Sequence, residues 1–557
     1  MPLRTRLDTD ALLQRLALLG VVAYLAVFLA LPLGTLFEKS FRDQNGAWVG
    51  LANWLRYMET PSLVASLWNT IWVSLLATAI VVPLAFIYAY ALTRTTMRFR
   101  GTFRAIGLLP ILAPSLLSAI SLIYLFGNQG LARWVLMGNS VYGPIGIVIA
   151  QVFYCFPHAF LILATALSIA DKRHYEAAEV LGASNARIFL TVTLPGVKYG
   201  LVSAFFVVFT MVATDFGIPK VIGGRFNVLA TDIYKQVVGQ QNFEMGAVVG
   251  MVLLLPACLA FAADRWVARR QVALLTARAV PFTPQANAMR DWLLFAFCTA
   301  IALCILTLLG IAAWASFIQY WPWNMTLTWR HYIFSNADAS GWSAYFNTLQ
   351  MAALVATFGT FIIAFGAWLV EKTKGAEILR GVVQFLAMIP LAVPGLVLGI
   401  AYIFFFNKPG NPLGFLYGTI GILALNTITH FYTVAHLTAL QALKQMDPEF
   451  ESVSASLKVS VWRTAWKVTL PVVSPAMLDV WFYMFVNAMT TVSAVVFLYG
   501  PFSKLASVSI INMDEAGFTA SAAGMGIVIV LTSGFAKILQ SLLAAHLAKR
   551  TQAWRTR

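Results

Sequence analysis

Charge is scarce in this chain. Asp, Glu, Lys and Arg make up 11% of its 557 residues, against about 25% in a soluble domain. Acidic groups are rarest: 22 Asp and Glu face 38 Lys and Arg, a formal net charge of +16. Cysteine is nearly absent too. Cys155, Cys258, Cys298 and Cys304 all fall in apolar segments and form no CxxC pair, which argues against a zinc ribbon or disulfide framework. They read as small buried hydrophobes. No Gly-Lys dipeptide occurs, so there is no Walker-type phosphate loop. His, Cys and carboxylates do not cluster at catalytic or metal-ligand spacing. The chain is therefore not expected to be an enzyme, nor to hold a cofactor or a metal.

What is there is hydrocarbon, 60% of all residues. Apolar runs of about twenty residues or more recur, long enough to cross a bilayer as helices. A β-barrel would instead need alternating runs of about ten. The expected fold class is an all-α polytopic membrane protein with about twelve spans. They are read at 14–36, 63–92, 104–126, 141–170, 197–216 and 244–263, then 291–316, 344–370, 381–406, 416–440, 474–498 and 518–545. The first run is long for a cleaved signal and reads as a retained span. Basic residues crowd alternate connections, among them Arg94, Arg98, Arg100 and Arg104, then Lys172, Arg173 and Arg187, then Lys444, Lys458, Arg463 and Lys467. That bias places these connections and both termini on the cytoplasmic side of the membrane. It also explains the positive charge without nucleic acid as a partner. Trp48, Trp54 and Trp68, and Trp321, Trp323, Trp329 and Trp342, fall in outer loops, where aromatics settle at the headgroups.

The chain repeats itself. Asn69-Thr70 returns as Asn347-Thr348, Pro110 and Pro114 as Pro390 and Pro394, Tyr142-Gly143 as Tyr417-Gly418, Thr193-Leu194-Pro195 as Thr469-Leu470-Pro471, and Gly224 as Gly500. The offset is nearly constant over a whole half. Two repeats, 1–263 and 291–557, are expected around a basic linker at 264–290. Six spans in each make the repeats parallel, with a pathway along their pseudo-twofold axis.

Two stretches stand out against the oil. Tyr175–Pro195 reads YEAAEVLGASNARIFLTVTLP, rich in helix formers and broken by Gly182. It is expected to form a short helix, a turn and a second short helix outside the bilayer, closed by Pro195. Asp447–Pro471, DPEFESVSASLKVSVWRTAWKVTLP, holds the same place in the second repeat. Ordered connections of this length usually touch something, so two matched cytoplasmic handles imply a two-lobed or dimeric partner.

The first handle resembles the EAA motif of ABC importer permeases: Glu176, Ala177 and Ala178, then three residues, Gly182, and a tail ending Val192-x-Leu194-Pro195. The resemblance implies a type I ABC importer permease-like membrane subunit. Its handles dock on a cytoplasmic ABC ATPase, a homodimer, and a periplasmic substrate-binding protein delivers the solute. Two repeats in one chain are similar to the permeases for ferric iron, thiamine and 2-aminoethylphosphonate. The implied ATPase-coupling residues are Glu176, Ala177, Ala178, Gly182 and Pro195, and in the second handle Glu451, Ser452, Leu457, Lys458 and Pro471. There the pattern departs, since Lys458 stands at the glycine's place and Ser452 at the glutamate's. Segments 213–250 and 490–517 are most similar to permeases for 2-aminoethylphosphonate, the first expectation for the solute, with ferric iron next and then thiamine or polyamine.

Asp215, near the outer end of its span, is a candidate for the substrate path, since ionisable groups within membranes mark function. An ion-coupled secondary transporter is the rival class, as parallel six-span halves occur there too. It would need charge pairs buried at mid-span and no cytoplasmic handles.

Overall fold

The computed structural model describes residues 2–271, 280, 282–373 and 375–551, the side chains of 2–9, 267–271, 548, 550 and 551 excepted. Of the expected linker, 272–279 and 281 lie outside the described residues. Among those described, nine helices are long and apolar enough to cross a membrane. They are α1 (Asp10–Lys39), α2 (Pro61–Arg94), α5 (Pro144–Ser168), α7 (Asn185–Thr214), α9 (Phe243–Trp266), α10 (Ala288–Ala315), α11 (Ser343–Lys372), α17 (Val461–Thr490) and α19 (Thr519–Leu547). Three bent pairs raise the number to twelve if each is one span: α3 (Arg100–Leu112) with α4 (Ser115–Phe126), α12 (Glu377–Ala392) with α13 (Gly395–Phe406), and α14 (Ile420–His430) with α15 (Tyr432–Lys444). The all-α class holds, with one small addition, a hairpin of β1 (Ile318–Tyr320) and β2 (Asn324–Leu327).

The bends correct three expected straight spans. Segments 104–126 and 381–406 turn by 101° and 114°. The cause is the repeated proline pair. Ala113, before Pro114, is extended at φ −101°, ψ 139°, and Val393, before Pro394, is extended at φ −99°, ψ 114°. A residue before proline avoids the helical region because the ring crowds its backbone. The 57° bend in 416–440 falls at Phe431 and involves neither proline nor glycine. Two of the four cysteines also depart from expectation: Cys155 and Cys298 are buried, whereas Cys258 and Cys304 are exposed on helix surfaces.

The helices pack into two compact units: Met1–Asn53 with Ala339–Ser509 and Val528–Arg557, and Trp54–Asp338 with Ile510–Ile527. Their boundaries do not follow the sequence repeats. In the first unit, α1 packs on second-repeat helices. The Tyr402 hydroxyl donates to the Phe28 carbonyl at 2.7 Å, and Phe28 stacks on Phe406 at 5.9 Å. In the second unit, α10 packs on first-repeat helices, with Cys298, Ala302 and Ile305 in their core and Phe295 edge-on to Phe103 at 5.5 Å. Within each unit the repeated Asn-Thr pair does the same work. Asn69 donates to the Asn227 carbonyl at 2.9 Å and Thr70 accepts from the Leu229 N–H at 2.9 Å. Asn347 donates to the Phe502 carbonyl at 2.9 Å and Thr348 accepts from the Ala506 N–H at 2.7 Å. Each pair satisfies a carbonyl of a non-helical stretch and the first N–H of the helix that follows it, within a membrane protein, where an unpaired polar group is costly.

Candidate functional site: two cytoplasmic helix-turn-helix handles

The first handle is α6 (Lys172–Val180), a turn, and the start of α7. Asp171 caps α6, accepting from the Arg173 N–H at 3.1 Å. That bond, joined by one from the Val280 N–H, holds the Asp171 carboxyl below the usual carboxylate range, as charge-assisted caps do. The turn closes by three bonds: Leu181 N–H to Ala177 O (3.1 Å), Gly182 N–H to Glu179 O (2.9 Å) and Ala183 N–H to Ala178 O (3.0 Å). The last is the six-to-one bond of a Schellman motif, whose turn residue must be left-handed. Gly182 has φ +73°.

The second handle is α16 (Glu449–Ser456), a turn, and the start of α17. Asp447 accepts from the Glu449 N–H at 2.9 Å. Its turn has the same three bonds: Leu457 N–H to Val453 O (2.9 Å), Lys458 N–H to Ala455 O (3.0 Å) and Val459 N–H to Ser454 O (3.0 Å). Lys458 takes the left-handed position at φ +54°. The departure from glycine therefore leaves the turn's shape intact and places a strained residue in it.

Pro195 and Pro471 do not close the handles, contrary to expectation. Helix runs on through both, from Asn185 to Thr214 and from Val461 to Thr490. A π-helical turn precedes each proline, at Phe189–Thr193 and Ala465–Thr469. Proline lacks the N–H for an α-helical bond and its ring crowds the preceding turn; the wider π turn accommodates both. Each handle is thus continuous with a membrane-spanning helix.

The other expected residues lie as follows. Glu176 is exposed and pairs with Lys172 at 3.0 Å, one turn back. Ala177 is exposed and Ala178 half-buried. Ser452 bonds its own helix, donating to the Pro448 carbonyl at 3.1 Å. Glu451 pairs with Lys372 at 2.5 Å. A cleft of about 670 Å³ opens along the second handle, lined by Phe450, Val453, Leu457 and Val459 with Arg463 and Lys467. Asp215 lies away from both handles, at the end of α7. It accepts from the Ile218 N–H at 3.0 Å and from Gln151 at 2.9 Å, and so caps the short helix α8 (Gly217–Ile222).

Sequence reasoning named Leu457 but missed its counterpart in the first handle, the tip at Val180 and Leu181. Val180 and Leu181 are 87% and 85% exposed, and Leu457, at Leu181's place, 70%. Large apolar side chains this bare at a helix end mark an interaction surface when they recur at matched places. The signal was available: Val180-Leu181 is an apolar pair on the rim of a polar helix, just before the turn glycine.

The family described as "binding-protein-dependent transport system inner membrane component" matches the chain twice, at 81–272 and 363–550, each match spanning one handle. The ferric transport system permease protein FbpB of Actinobacillus pleuropneumoniae is 27% identical over 534 residues, 92% of this chain and 76% of that one. A putative ferric transport system permease protein, FbpB 1, of Haemophilus influenzae is 28% identical over 86% of this chain and 77% of its own length. A putative 2-aminoethylphosphonate transport system permease protein, PhnU, of Salmonella choleraesuis is 25% identical over 44% of this chain and 89% of its own. The chain belongs to the binding-protein-dependent inner membrane component family and is a two-repeat, multi-pass ABC importer permease.

Proposed function

We propose that this permease couples a dimeric cytoplasmic ABC ATPase to the passage of a small solute delivered by a periplasmic binding protein. The observation that carries the reading is the matched pair of handles, with one cap, one turn and one bare leucine repeated in each. The leucines and the small Ala177 and Ala178 suit a cleft on each ATPase subunit. Glu176, with Glu451 and Ser452 in the second handle, lines the rim, and Gly182 and Lys458 set the turns. Closure of the ATPase dimer then moves both handles, and their continuous helices carry the motion into the spans that flank the path. Both termini lie on the cytoplasmic side, as does the linker 264–290 that joins repeats 1–263 and 291–557. Asp215 stands beside the path as the cap of α8.

Ferric iron is the first reading of the solute, because two relatives named for ferric transport match along nearly the whole two-repeat chain. A 2-aminoethylphosphonate importer is the second. It is supported by segments 213–250 and 490–517 and by the half-length phosphonate relative.

The test is uptake in a strain deleted for the gene, with labelled ferric iron, 2-aminoethylphosphonate and thiamine. Loss of iron uptake alone, restored by the gene and not by a Glu176→Lys/Gly182→Asp double variant, supports both solute and coupling. Loss of phosphonate uptake alone moves the solute to the second reading. Full restoration by the double variant sinks the coupling role of the first handle.

A further inference from the structure

Val280 and Phe282, two described residues of the segment that joins the repeats, lie against the first handle. The Lys172 N–H donates to the Val280 carbonyl at 3.0 Å, and the Val280 N–H donates to Asp171 Oδ1 at 3.3 Å. These two bonds bridge the start of α6. Beside them the Phe282 ring packs on Tyr175, with centroids 4.7 Å apart. The Arg94 guanidinium stands over both rings, 4.1 Å from Phe282 and 5.1 Å from Tyr175. Arg94 ends α2 and is 3% exposed. Its Nη2 donates to the Leu167 carbonyl, near the end of α5, at 2.7 Å. Just beyond the segment, on α10, Asp291 Oδ2 accepts from the N–H and hydroxyl of Thr96 at 3.1 and 2.7 Å. Val280 and Phe282 are thus held at the first handle, the start of α10 is held just after Arg94, and every contact lies within one packing unit.

The second repeat builds the same corner differently. Lys372 stands where Arg94 does and Glu451 where Tyr175 does, joined by the 2.5 Å ion pair with Glu451 37% exposed. The Lys372 side chain is only 8% exposed, so water reaches this pair from the carboxylate side. A guanidinium over two rings gains most from them while they keep water out.

We propose that Val280 and Phe282 form a clamp that fixes the first handle to α2 and α5, with Phe282 and Arg94 as positioning residues for the coupling step; the proposal rests on the coupling role given above. The clamp makes the handles mechanically unequal. Motion of the ATPase passes through the first handle directly into α2 and α5. The second handle is held at this corner by an ion pair instead.

The test uses the full chain in lipid nanodiscs with its ATPase and binding protein. Phe282→Ala removes the ring, Phe282→Leu keeps most of its bulk, and Phe282→Trp restores an aromatic face. Hydrogen exchange is followed at 172–180 and 449–456, together with solute moved per ATP hydrolysed. Loss of one ring stack and one cation–π contact should speed exchange at 172–180 by about three- to tenfold. Exchange at 449–456 should stay unchanged, and transport per ATP should fall while hydrolysis continues. Phe282→Leu should behave like Phe282→Ala, and Phe282→Trp like the parent. Unchanged exchange at 172–180 refutes the clamp, as does equal acceleration in both handles, which would mean general loosening. Faster exchange with unchanged transport per ATP refutes its part in coupling. A parent chain that fails to bind the ATPase at all would instead overturn the coupling role itself, and the exchange measurement would still judge the clamp.

Discussion

Gly182 and Lys458 hold the same place in two turns with the same hydrogen bonds, at φ +73° and +54°. A residue with a Cβ costs about 1 kcal/mol more than glycine in that conformation. No atom stands within 4 Å of where a Cβ on Gly182 would lie, so substitution there adds no clash and the backbone cost is the whole effect. Gly182→Ala should then destabilise the first turn, and Lys458→Gly stabilise the second, each by about 1 kcal/mol or a factor of about five in the opening equilibrium. The greater freedom that glycine recovers in the open chain trims the second gain somewhat. The reporters are the amides that close the turns, Leu181, Gly182 and Ala183 in one and Leu457, Lys458 and Val459 in the other. Hydrogen exchange of the permease in nanodiscs reads them directly. Exchange at 457–459 should slow in Lys458→Gly, and exchange at 181–183 should quicken in Gly182→Ala. If Lys458→Gly left 457–459 unchanged or faster, left-handed strain would not be what sets the second turn's stability.

Three further outcomes follow from single contacts. Leu181→Asp and Leu457→Asp alter side chains that are 85% and 70% exposed, so the thermal midpoint of the isolated permease should hold to within about 0.5 kcal/mol while the ATPase no longer co-purifies; retained co-purification would rule out the tips as docking points. Asp215→Ala strips the acceptor from the Ile218 N–H and the Gln151 amide. It should cost about 1–3 kcal/mol, seen as a lower thermal midpoint in detergent, and an unshifted midpoint would deny Asp215 its capping role. Tyr402→Phe removes the bond to the Phe28 carbonyl. It should cost about 0.5–1.5 kcal/mol and expose the α1 end to protease sooner; equal cleavage rates would show that the bond does not anchor α1.

Much of this was legible because the chain states it twice. The Asn-Thr pairs, the two handles and their shared tail stood out as repeats before their contacts were known, and the structure gives both Asn-Thr pairs the same job. The proline pairs were equally visible, yet their effect was not. Within an apolar run, Pro110 and Pro114 leave composition unchanged, and composition is all that a span assignment reads. The sharp bend comes from one residue, Ala113, forced out of the helical region. Leu457 was implied by the resemblance, but the bare Leu181 was hidden for a related reason. A leucine on a short helix looks like core until the neighbouring elements are known to turn away from it. The Phe282 clamp could not have been read at all, because the segment joining the repeats has no counterpart in the sequence to set it against.

The π turns bring these threads together. Had Pro195 and Pro471 ended the handles, as the sequence suggests, each handle would hang on a flexible joint, and movement at its tip would dissipate there. A π turn keeps the chain helical through the proline, with Leu194 bonding back to Phe189 and Leu470 to Ala465. It also widens the helix at one point, which leaves room for the proline ring. On the proposed coupling, the tips at Leu181 and Leu457 are the short arms of levers, and the spans to Thr214 and Thr490 the long ones. A proline at the same place in both repeats, although the handles have diverged, fits that division of work: the tip residues meet the partner's surface, and the unbroken helix behind them carries the motion.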